Sequence, residues 1–340
     1  MNNHWNNVRN GDPGGSGVSV IICCYNSATR IRETLQALAQ QRFHKPLPWE
    51  IVLVDNASTD NTSGVAAAIW ETFETGIPLH IVEEEQPGLM HARNKGIKAA
   101  GYCIVLFCDD DNRLAPDYVE GVFDILTSDG NTAACGGMGI PAFGMAKPAW
   151  FDEYQEAFAV GSQAINEEEG RVLNLYGAGL AVKRAALEHL EQTGFVSTMT
   201  GRTGGSLSSS EDTELTYALV LMGYRLHYAP ELTFFHYLPR RRLTFEYVKK
   251  IFIAFGKDGP VRNLYYSYIS NRRSHRPVRN WYVHMALCLF RFIKYFLLPP
   301  KKKGRWVYFH WNIAYFRQLL VLWRQWPVFR QNVEKINLSK

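Results

Sequence analysis

Three adjacent aspartates, Asp109-Asp110-Asp111, follow the apolar run Ile104–Phe107. Neighbouring carboxylates repel one another and raise each other's pKa unless a cation compensates them. A hard divalent cation with oxygen ligands meets that need, and such an ion also neutralises a diphosphate. The competing reading is a solvated turn or a helix N-cap, but the apolar run in front aims the cluster into a crevice. Asp55 stands in the same relation to Ile51–Val54. A carboxylate at a strand end accepts hydrogen bonds from a ribose hydroxyl or a base imide, although Asp-Asn-Ala-Ser is equally good turn chemistry. Arg93, beside Asn94, lies in a helical stretch where a guanidinium pairs with a phosphate, with the acidic cluster, or with solvent. Glu211-Asp212 opens another helix, with Ser210 placed to cap it. Acids there complement the helix dipole, or one of them takes the proton of an incoming hydroxyl. His236 precedes Pro239-Arg240-Arg241-Arg242; it is either a structural histidine or the completing ligand of a metal site with phosphate-holding arginines nearby.

Elements must hold these side chains, and the pattern supplies them. Strands are expected at Val18–Cys24, Glu50–Val54, Leu79–Glu83 and Cys103–Cys108, separated by helices over about 28–41, 60–75 and 88–100. Alternation of this length indicates βαβ units, a mostly parallel central sheet flanked by helices, and an α/β fold class. Ligands of such sheets bind outside the carboxyl ends of the strands, so Asn26, Asp55 and Asp109 to Asp111 converge on one crevice. Farther on, a helix from Pro116 to about Thr127 and an irregular Gly/Pro/aromatic region over 136–170 are expected. A strand over Asn174–Val182, a mobile Gly/Ser loop over Thr200–Ser210 and a helix from Glu211 to just before Gly223 follow.

A net charge of +5 over 340 residues is too mild to imply a nucleic-acid partner. Its distribution says more: acidic clusters occupy the first half, while residues 239–330 hold most of the basic residues beside many aromatics. The six cysteines form no C-x-x-C pair, which reads as free thiols in a reducing compartment. No apolar h-region precedes Val18, so residues 1–17 read as a disordered leader and a cytoplasmic protein is expected. Residues 281–298 are apolar, but Arg291 and Lys294 inside them make a membrane span costly. On a helical wheel His284, Arg291 and Lys294 fall on one side. Residues 306–324 repeat the theme with His310, Arg317 and Arg324 at seven-residue spacing, and Lys301-Lys302-Lys303 lie between. Basic faces on aromatic helices indicate contact with an anionic membrane surface, peripheral and at the inner face; packing on the rest of the chain or a dimer interface is the competing reading.

Taken in order, VSVIICCYN, IVLVDNASTDNT, QPGLMHARNKGIKAA, VLFCDDDN, GAGLAVKR, SSEDTELTYALVLMGYRL and FFHYLPR resemble the family-2 glycosyltransferases with the GT-A fold, over about residues 18–243. The resemblance implies a GT-A domain over 18–243 and a helical, basic-aromatic extension over 244–340. It implies that Tyr25, Asn26 and Asp55 hold the nucleotide, that Arg93 lies near the donor, and that Asp109 sits near the ribose with Asp110 beside it. Asp111 is then the metal ligand, joined by His236, with Mn2+ or Mg2+ as cofactor. Asp212 is the catalytic base, with Glu211 as second choice. The activity implied is inverting transfer of a sugar from a nucleotide-sugar donor, UDP-linked by family frequency, to a glycan or lipid-linked acceptor in surface polysaccharide assembly. The Q-x-x-R-W element of processive synthases is missing, which points to transfer of one or a few sugars. Cys23-Cys24 stand where proline is common in the family. A sugar nucleotidyltransferase would place a Gly-rich, Arg/Lys-containing loop after the first strand; Tyr25-Asn26-Ser27-Ala28 is not one. A catalytically lapsed scaffold would have little reason to keep every carboxylate.

Overall fold

Val18–Cys24, Trp49–Val54 and Ile104–Cys108 are nearly continuous apolar runs, and such runs are what a parallel sheet covered on both faces requires. The computed structural model describes residues 15–163, 167–168, 170–199, 201–202, 207, 210–274, 280–297 and 305–338. The leader through residue 14, much of the Thr200–Ser210 loop and Lys301-Lys302-Lys303 lie outside the described residues. In chain order the elements are β1 Gly15–Cys24, α1 Ile31–Ala39, β2 Trp49–Asn56, α2 Thr62–Glu71, β3 Leu79–Glu84, α3 Leu89–Ala99 and β4 Tyr102–Asp109. Next come β5 Asn112–Leu114, α4 Tyr118–Ser128, β6 Thr132–Phe143, α5 Phe151–Tyr154, β7 Glu167–Glu168, β8 Arg171–Val172, β9 Ala181–Lys183 and α6 Arg184–Gln192. The chain ends with α7 Glu211–Leu221, β10 Arg225–Leu238, α8 Phe245–Ser274, α9 Trp281–Leu297, α10 Arg305–Leu322 and α11 Trp326–Leu338.

Two compact units divide the chain, each assembled from separated segments. The first takes residues up to Ala142, Gly161–His189 and Arg225–Tyr237. Its eight-stranded sheet has the order β3-β2-β1-β4-β9-β6-β10-β5. The pairings β1–β2, β1–β4 and β2–β3 are parallel, as the βαβ pattern predicts. Beyond β4 the pairings β4–β9, β6–β9 and β10–β5 are antiparallel. The core lies on the parallel part: Val20, Ile22, Ile51 to Val54, Val105 and Leu106 are fully buried.

Two expectations are corrected here. The irregular region expected from residue 136 begins as strand, because β6 runs on to Phe143. Its glycines serve close backbone approach: a Cβ on Gly137 would lie 2.0 Å from the Leu232 carbonyl oxygen. Conversely, only Ala181 and Val182 of the expected strand over Asn174–Val182 are strand, at the start of β9. Gly179 turns the chain at φ +72°, with its amide on the Phe107 carbonyl and its own carbonyl accepting from the Tyr118 hydroxyl at 2.8 Å.

The second unit takes Phe143–Val160, Leu190–Tyr224 and Leu238 onward. Phe151, Tyr154 and Phe158 pack with Leu238, Leu243, Val248, Ile251 and Val307 into its aromatic core. Helix α8 is tied to its neighbours by phenols: Tyr265 donates to Glu214 at 3.2 Å and Tyr268 to Glu334 at 2.6 Å. Residues 281–298 and 306–324 form α9 and α10, but the expected common polar side of α9 is split. His284 is buried against the Tyr315 hydroxyl at 2.8 Å, Arg291 lies over the Trp311 ring at 5.3 Å, and Lys294 is exposed. Packing onto α10 requires an inward face, and the chain turns its long polar groups there. Among the described residues no helix is long and apolar enough to cross a membrane. All six cysteines are free thiols.

At the opposite end of the parallel strands from the aspartates, Glu50 gathers β1, β3 and the start of β4. Its Oε1 accepts from Ser19 Oγ and from the Gly101 amide, each at 2.6 Å, and its Oε2 pairs with His80 Nε2 at 3.2 Å. Burial alone would raise its pKa, but the bonds from His80, Ser19 and Gly101 outweigh it and hold the carboxyl below the ordinary range. A depressed carboxyl stabilises the fold above its unfolded pKa of about 4.3, and that contribution is lost as pH falls through the folded value. Glu50→Gln is therefore expected to lower stability by about 1–2 kcal/mol at pH 7, with the deficit shrinking below about pH 4. Urea denaturation of both proteins from pH 3 to pH 7 measures this; a deficit that stays constant across the range contradicts it.

Candidate active site

The first unit carries most of the residues singled out by type. Strands β1, β2 and β4 run parallel in register, with Cys24 beside Asp55 and Cys23 beside Asp109. Their carboxyl ends, and the loops that leave them, therefore meet at one edge of the sheet. Tyr25 follows β1 and is 49% exposed, so its ring is offered to solvent rather than to the core.

Asn26 adopts φ +51°, a left-handed conformation that asparagine tolerates better than most residues. Its side-chain oxygen accepts from the Thr59 amide at 2.8 Å, the Thr59 hydroxyl at 3.2 Å and the Asp60 amide at 3.3 Å. Asp55 accepts from Ser63 Oγ at 2.5 Å and the Ser58 amide at 3.3 Å. Both residues thus shape the β2–α2 loop as well as stand at the crevice. Ser27 and Ala28 complete the seam, through Ser27 N–H to Thr62 Oγ1 at 2.8 Å and Ala28 N–H to Asp60 Oδ2 at 3.2 Å. Arg93 on α3 is 7% exposed, its guanidinium 5.0 Å from the centre of the Phe107 ring.

The three aspartates have different surroundings. Asp110 is turned inward, where Arg30 Nη2 pairs with its Oδ2 at 2.6 Å and the Ser27 hydroxyl donates to the same oxygen. Burial pushes its pKa up, with the Asp111 charge adding to this, while Arg30 and Ser27 oppose both. Burial and the Asp109 charge likewise push the Cys108 thiol far up, so it stays a neutral neighbour. Asp109 closes β4 and is half-buried. Asp111 is brought to His236, with Nε2 3.5 Å from Oδ1 and both side chains nearly buried. Backbone pairing makes this contact: β10 runs antiparallel to β5, placing His236 opposite Asn112, and the Tyr237 amide donates to the Asp111 carbonyl at 3.0 Å.

This pair suits a cation. Adjacent ligands of one octahedral ion with bonds of about 2.1 Å lie about 3 Å apart, near the separation seen. Asn112, fully buried beside it, has neither its amide nitrogen nor its oxygen hydrogen-bonded within the protein. Buried polar groups are normally satisfied, and this amide is an exception next to Asp111 in sequence and opposite His236 in the sheet. Among the described residues no cluster of three or more His, Cys, Asp or Glu is assembled. Asp111 and His236 would thus hold an ion that takes its other ligands from water and from a diphosphate, the usual arrangement for a magnesium-like cation.

Glu211 and Asp212 belong to the second unit, on the first turn of α7. Ser210 occupies the N-cap position, but its hydroxyl makes no capping bond, because Asp212 Oδ1 takes the Thr213 amide at 2.6 Å instead. Glu211 is 5% exposed, while Asp212 is only half-buried and keeps contact with solvent. Two carboxylates not singled out from the sequence, Glu214 on this helix and Asp60 in the first unit, gather several donors. Glu214 is buried on the same helix and accepts from Ser197 Oγ at 2.7 Å, the Met199 amide at 3.0 Å and the Thr198 hydroxyl at 2.5 Å. Asp60 and its partners do the same for the β2–α2 loop. Arg30 carried no sequence signal other than the demand of three aspartates for a cation.

The profile of the family described as Glycosyl transferase family 2 matches residues 19–190, just over half of the chain. Asp55, Arg93 and the three aspartates lie within it; Glu211, Asp212 and His236 lie beyond. Glycosyltransferase AglE of Haloferax volcanii is 38% identical over 95 residues, covering 28% of this chain and 30% of AglE. The poly-beta-1,6-N-acetyl-D-glucosamine synthase of Staphylococcus aureus is 30% identical over 101 residues, covering 30% and 23% of the two chains. The chain thus spans less than a third of the length of either curated relative. Among solved structures, mannosyltransferase PcManGT of Pyrobaculum calidifontis, in complex with GDP-Man and Mn2+, aligns with a TM-score of 0.52 at 19% identity, over 96% of this chain and 88% of that one. That likeness establishes the GT-A fold.

Loss of Arg30 would leave Asp110 buried and uncompensated. Arg30→Met is expected to cost about 2 kcal/mol, less than the ~3–5 kcal/mol of a fully buried pair because Arg30 retains solvent contact. Adding Asp110→Asn should restore part of that loss. Urea unfolding of the two single variants and the double variant reads the coupling; strict additivity contradicts the assignment.

Proposed function

The chain belongs to glycosyl transferase family 2, and from that premise we propose that it transfers a sugar, with inversion, from a nucleotide-sugar donor to an acceptor hydroxyl. The observation that carries the reading is the contact of Asp111 with His236, 125 positions apart in sequence and side by side at the strand ends beside an orphaned amide. In this reading the donor's nucleotide lies along the carboxyl ends of β1, β2 and β4. Tyr25 offers an exposed ring to the base, the Asp55 and Asp109 carboxylates accept from base and ribose groups, and Arg93 adds positive charge near the donor. UDP is the favoured nucleotide by family frequency alone. Asp111 and His236 would hold Mn2+ or Mg2+, which when bound supplies positive charge against the diphosphate; an imidazole ligand favours manganese. Asp110 supports this arrangement from inside through Arg30.

The chemistry is a single displacement. Asp212 accepts the proton of the acceptor hydroxyl as that oxygen forms its bond to the anomeric carbon. The bond to the diphosphate oxygen breaks on the opposite face, and the nucleoside diphosphate leaves with the electron pair. Solvent contact favours Asp212 over the buried Glu211 as the group that meets a diffusing acceptor. Positioning and electrostatic stabilisation supply most of the acceleration. The acceptor class we assign is a glycan or lipid-linked glycan presented at an anionic membrane surface, in surface polysaccharide assembly.

General-base removal costs about 10²–10⁴ in rate. Asp212→Asn is accordingly expected to lower transfer by at least 10² while donor affinity, read by calorimetry, changes less than about twofold. Normal turnover by this variant, or the same loss in Glu211→Gln alone, would move the base elsewhere.

A further inference from the structure

Helix α9 is amphipathic the wrong way round for a helix that only packs on its own protein. Its inward side carries His284 on the Tyr315 hydroxyl, Cys288, and Arg291 over the Trp311 ring. Its outward side is apolar: Tyr282 is 74% exposed, Phe290 64%, Ile293 58% and Leu297 74%, with Leu289 between them at 49%. At 100° per residue these side chains fall within an arc of about 100°, one continuous stripe along roughly 23 Å of helix. Antiparallel packing brings aromatic residues of α10 and of its end to the two ends of α9. Trp281 lies 6.4 Å from the Trp323 ring, and Phe292 lies 6.1 Å from Phe309, itself 6.1 Å from Trp306. Trp323 and Trp306 are exposed at 55% and 67%. A stripe of this extent that water covers is a site of association.

Charge identifies what covers it. Between Asp258 and Glu334 the chain has fourteen lysines and arginines and not one aspartate or glutamate. Lys294 on the rim of the stripe, Arg317 and Arg324 are exposed. A second copy of this chain would bring the same cations face to face across an apolar contact, which like charges oppose. An anionic bilayer meets both features, taking the apolar stripe to the acyl boundary, tryptophan and tyrosine rings at headgroup level, and cations against lipid phosphates. We propose that the outward stripe of α9, ended by Trp306 and Trp323, is a surface that lies in the plane of an anionic membrane. The apolar stripe, not a basic helix face, makes the deep contact. The inference rests on the transferase reading only for its purpose, which is to bring the enzyme to an acceptor carried on that surface.

The test is cosedimentation of the full chain with extruded vesicles of phosphatidylcholine alone and of phosphatidylcholine with phosphatidylglycerol. The protein is expected to sediment with the anionic vesicles and to be released by high salt at least in part. Leu289→Glu/Phe290→Glu/Ile293→Glu, all at exposed positions, should weaken partitioning about tenfold or more with unchanged circular dichroism. Phe290→Ser alone, the mildest change, should weaken it about fivefold and serves if the triple variant misfolds. Lys294→Gln should weaken binding to the anionic vesicles about fivefold. Failure to bind either vesicle overturns the proposal, as does binding that these substitutions leave untouched or binding equally strong to uncharged lipid. A concentration-dependent dimer that the triple variant abolishes, without vesicle binding, would give the face to a second copy instead. Vesicle binding is read without donor or acceptor, so its failure leaves the transferase reading standing, and an inactive enzyme leaves this surface standing.

Discussion

Repulsion among Asp109, Asp110 and Asp111 at the end of a buried strand is the constraint around which the first unit's polar contacts are arranged. Three carboxylates cannot all stay ionised in such a place without compensation. The chain divides the task. Asp110 turns inward to Arg30 and Ser27, and that contact fixes the loop between β1 and α1. Ser27 and Ala28 in turn bind Thr62 and Asp60, so the loop after β2 is held by the loop after β1. Asp111 meets His236, and in the proposed reading it and Asp109 serve the ligand. Asp110 thus makes structural contacts as well as standing at the strand ends, and those contacts set its neighbours.

The same device recurs on α7 in the second unit. There the acidic cluster is Glu211, Asp212 and Glu214, and Glu214 is the one spent on structure, gathering Ser197, Thr198, Met199 and Tyr265. Glu50 does the corresponding work at the far end of the parallel strands. Each of these carboxylates is satisfied by several donors, the condition under which a buried acid stabilises rather than strains a fold. Asp212, one residue into its helix and half-exposed, accepts from the Thr213 amide and keeps contact with solvent.

Much of this was legible in the residues, and the part that was not has physical causes. The parallel strands β1 to β4 were readable because both of their faces are buried and their apolar runs are unbroken. The antiparallel half was not: β6 carries Gly137 where the Leu232 carbonyl presses against its backbone, and glycine reads as loop. The turn at Gly179 was hidden inside an otherwise strand-like segment. Residue type alone singled out Asp55, Asp109, Asp111 and His236 as candidates but could not pair the last two, since their contact is made by strand register between β5 and β10. Three adjacent aspartates call for positive charge, read from the residues as a metal or as Arg93, whereas the guanidinium that pairs with Asp110 is that of Arg30, eighty positions away. On α9 the wheel grouped His284, Arg291 and Lys294 as one outer side, whereas packing turns the first two inward and leaves Lys294 exposed.

In the proposed function Asp111 and His236 act together as the protein's share of a cation site serving a diphosphate. Titration of the chain with UDP, and with other nucleoside diphosphates, by calorimetry with and without Mn2+ tests it most directly when run beside Asp111→Asn and His236→Ala. The account predicts nucleotide binding that tightens with Mn2+ in the unaltered chain, and loss of tenfold or more of that metal-dependent gain in each variant, with the metal-free affinity unchanged. Binding indifferent to metal, or a metal effect that survives in both variants, would contradict it.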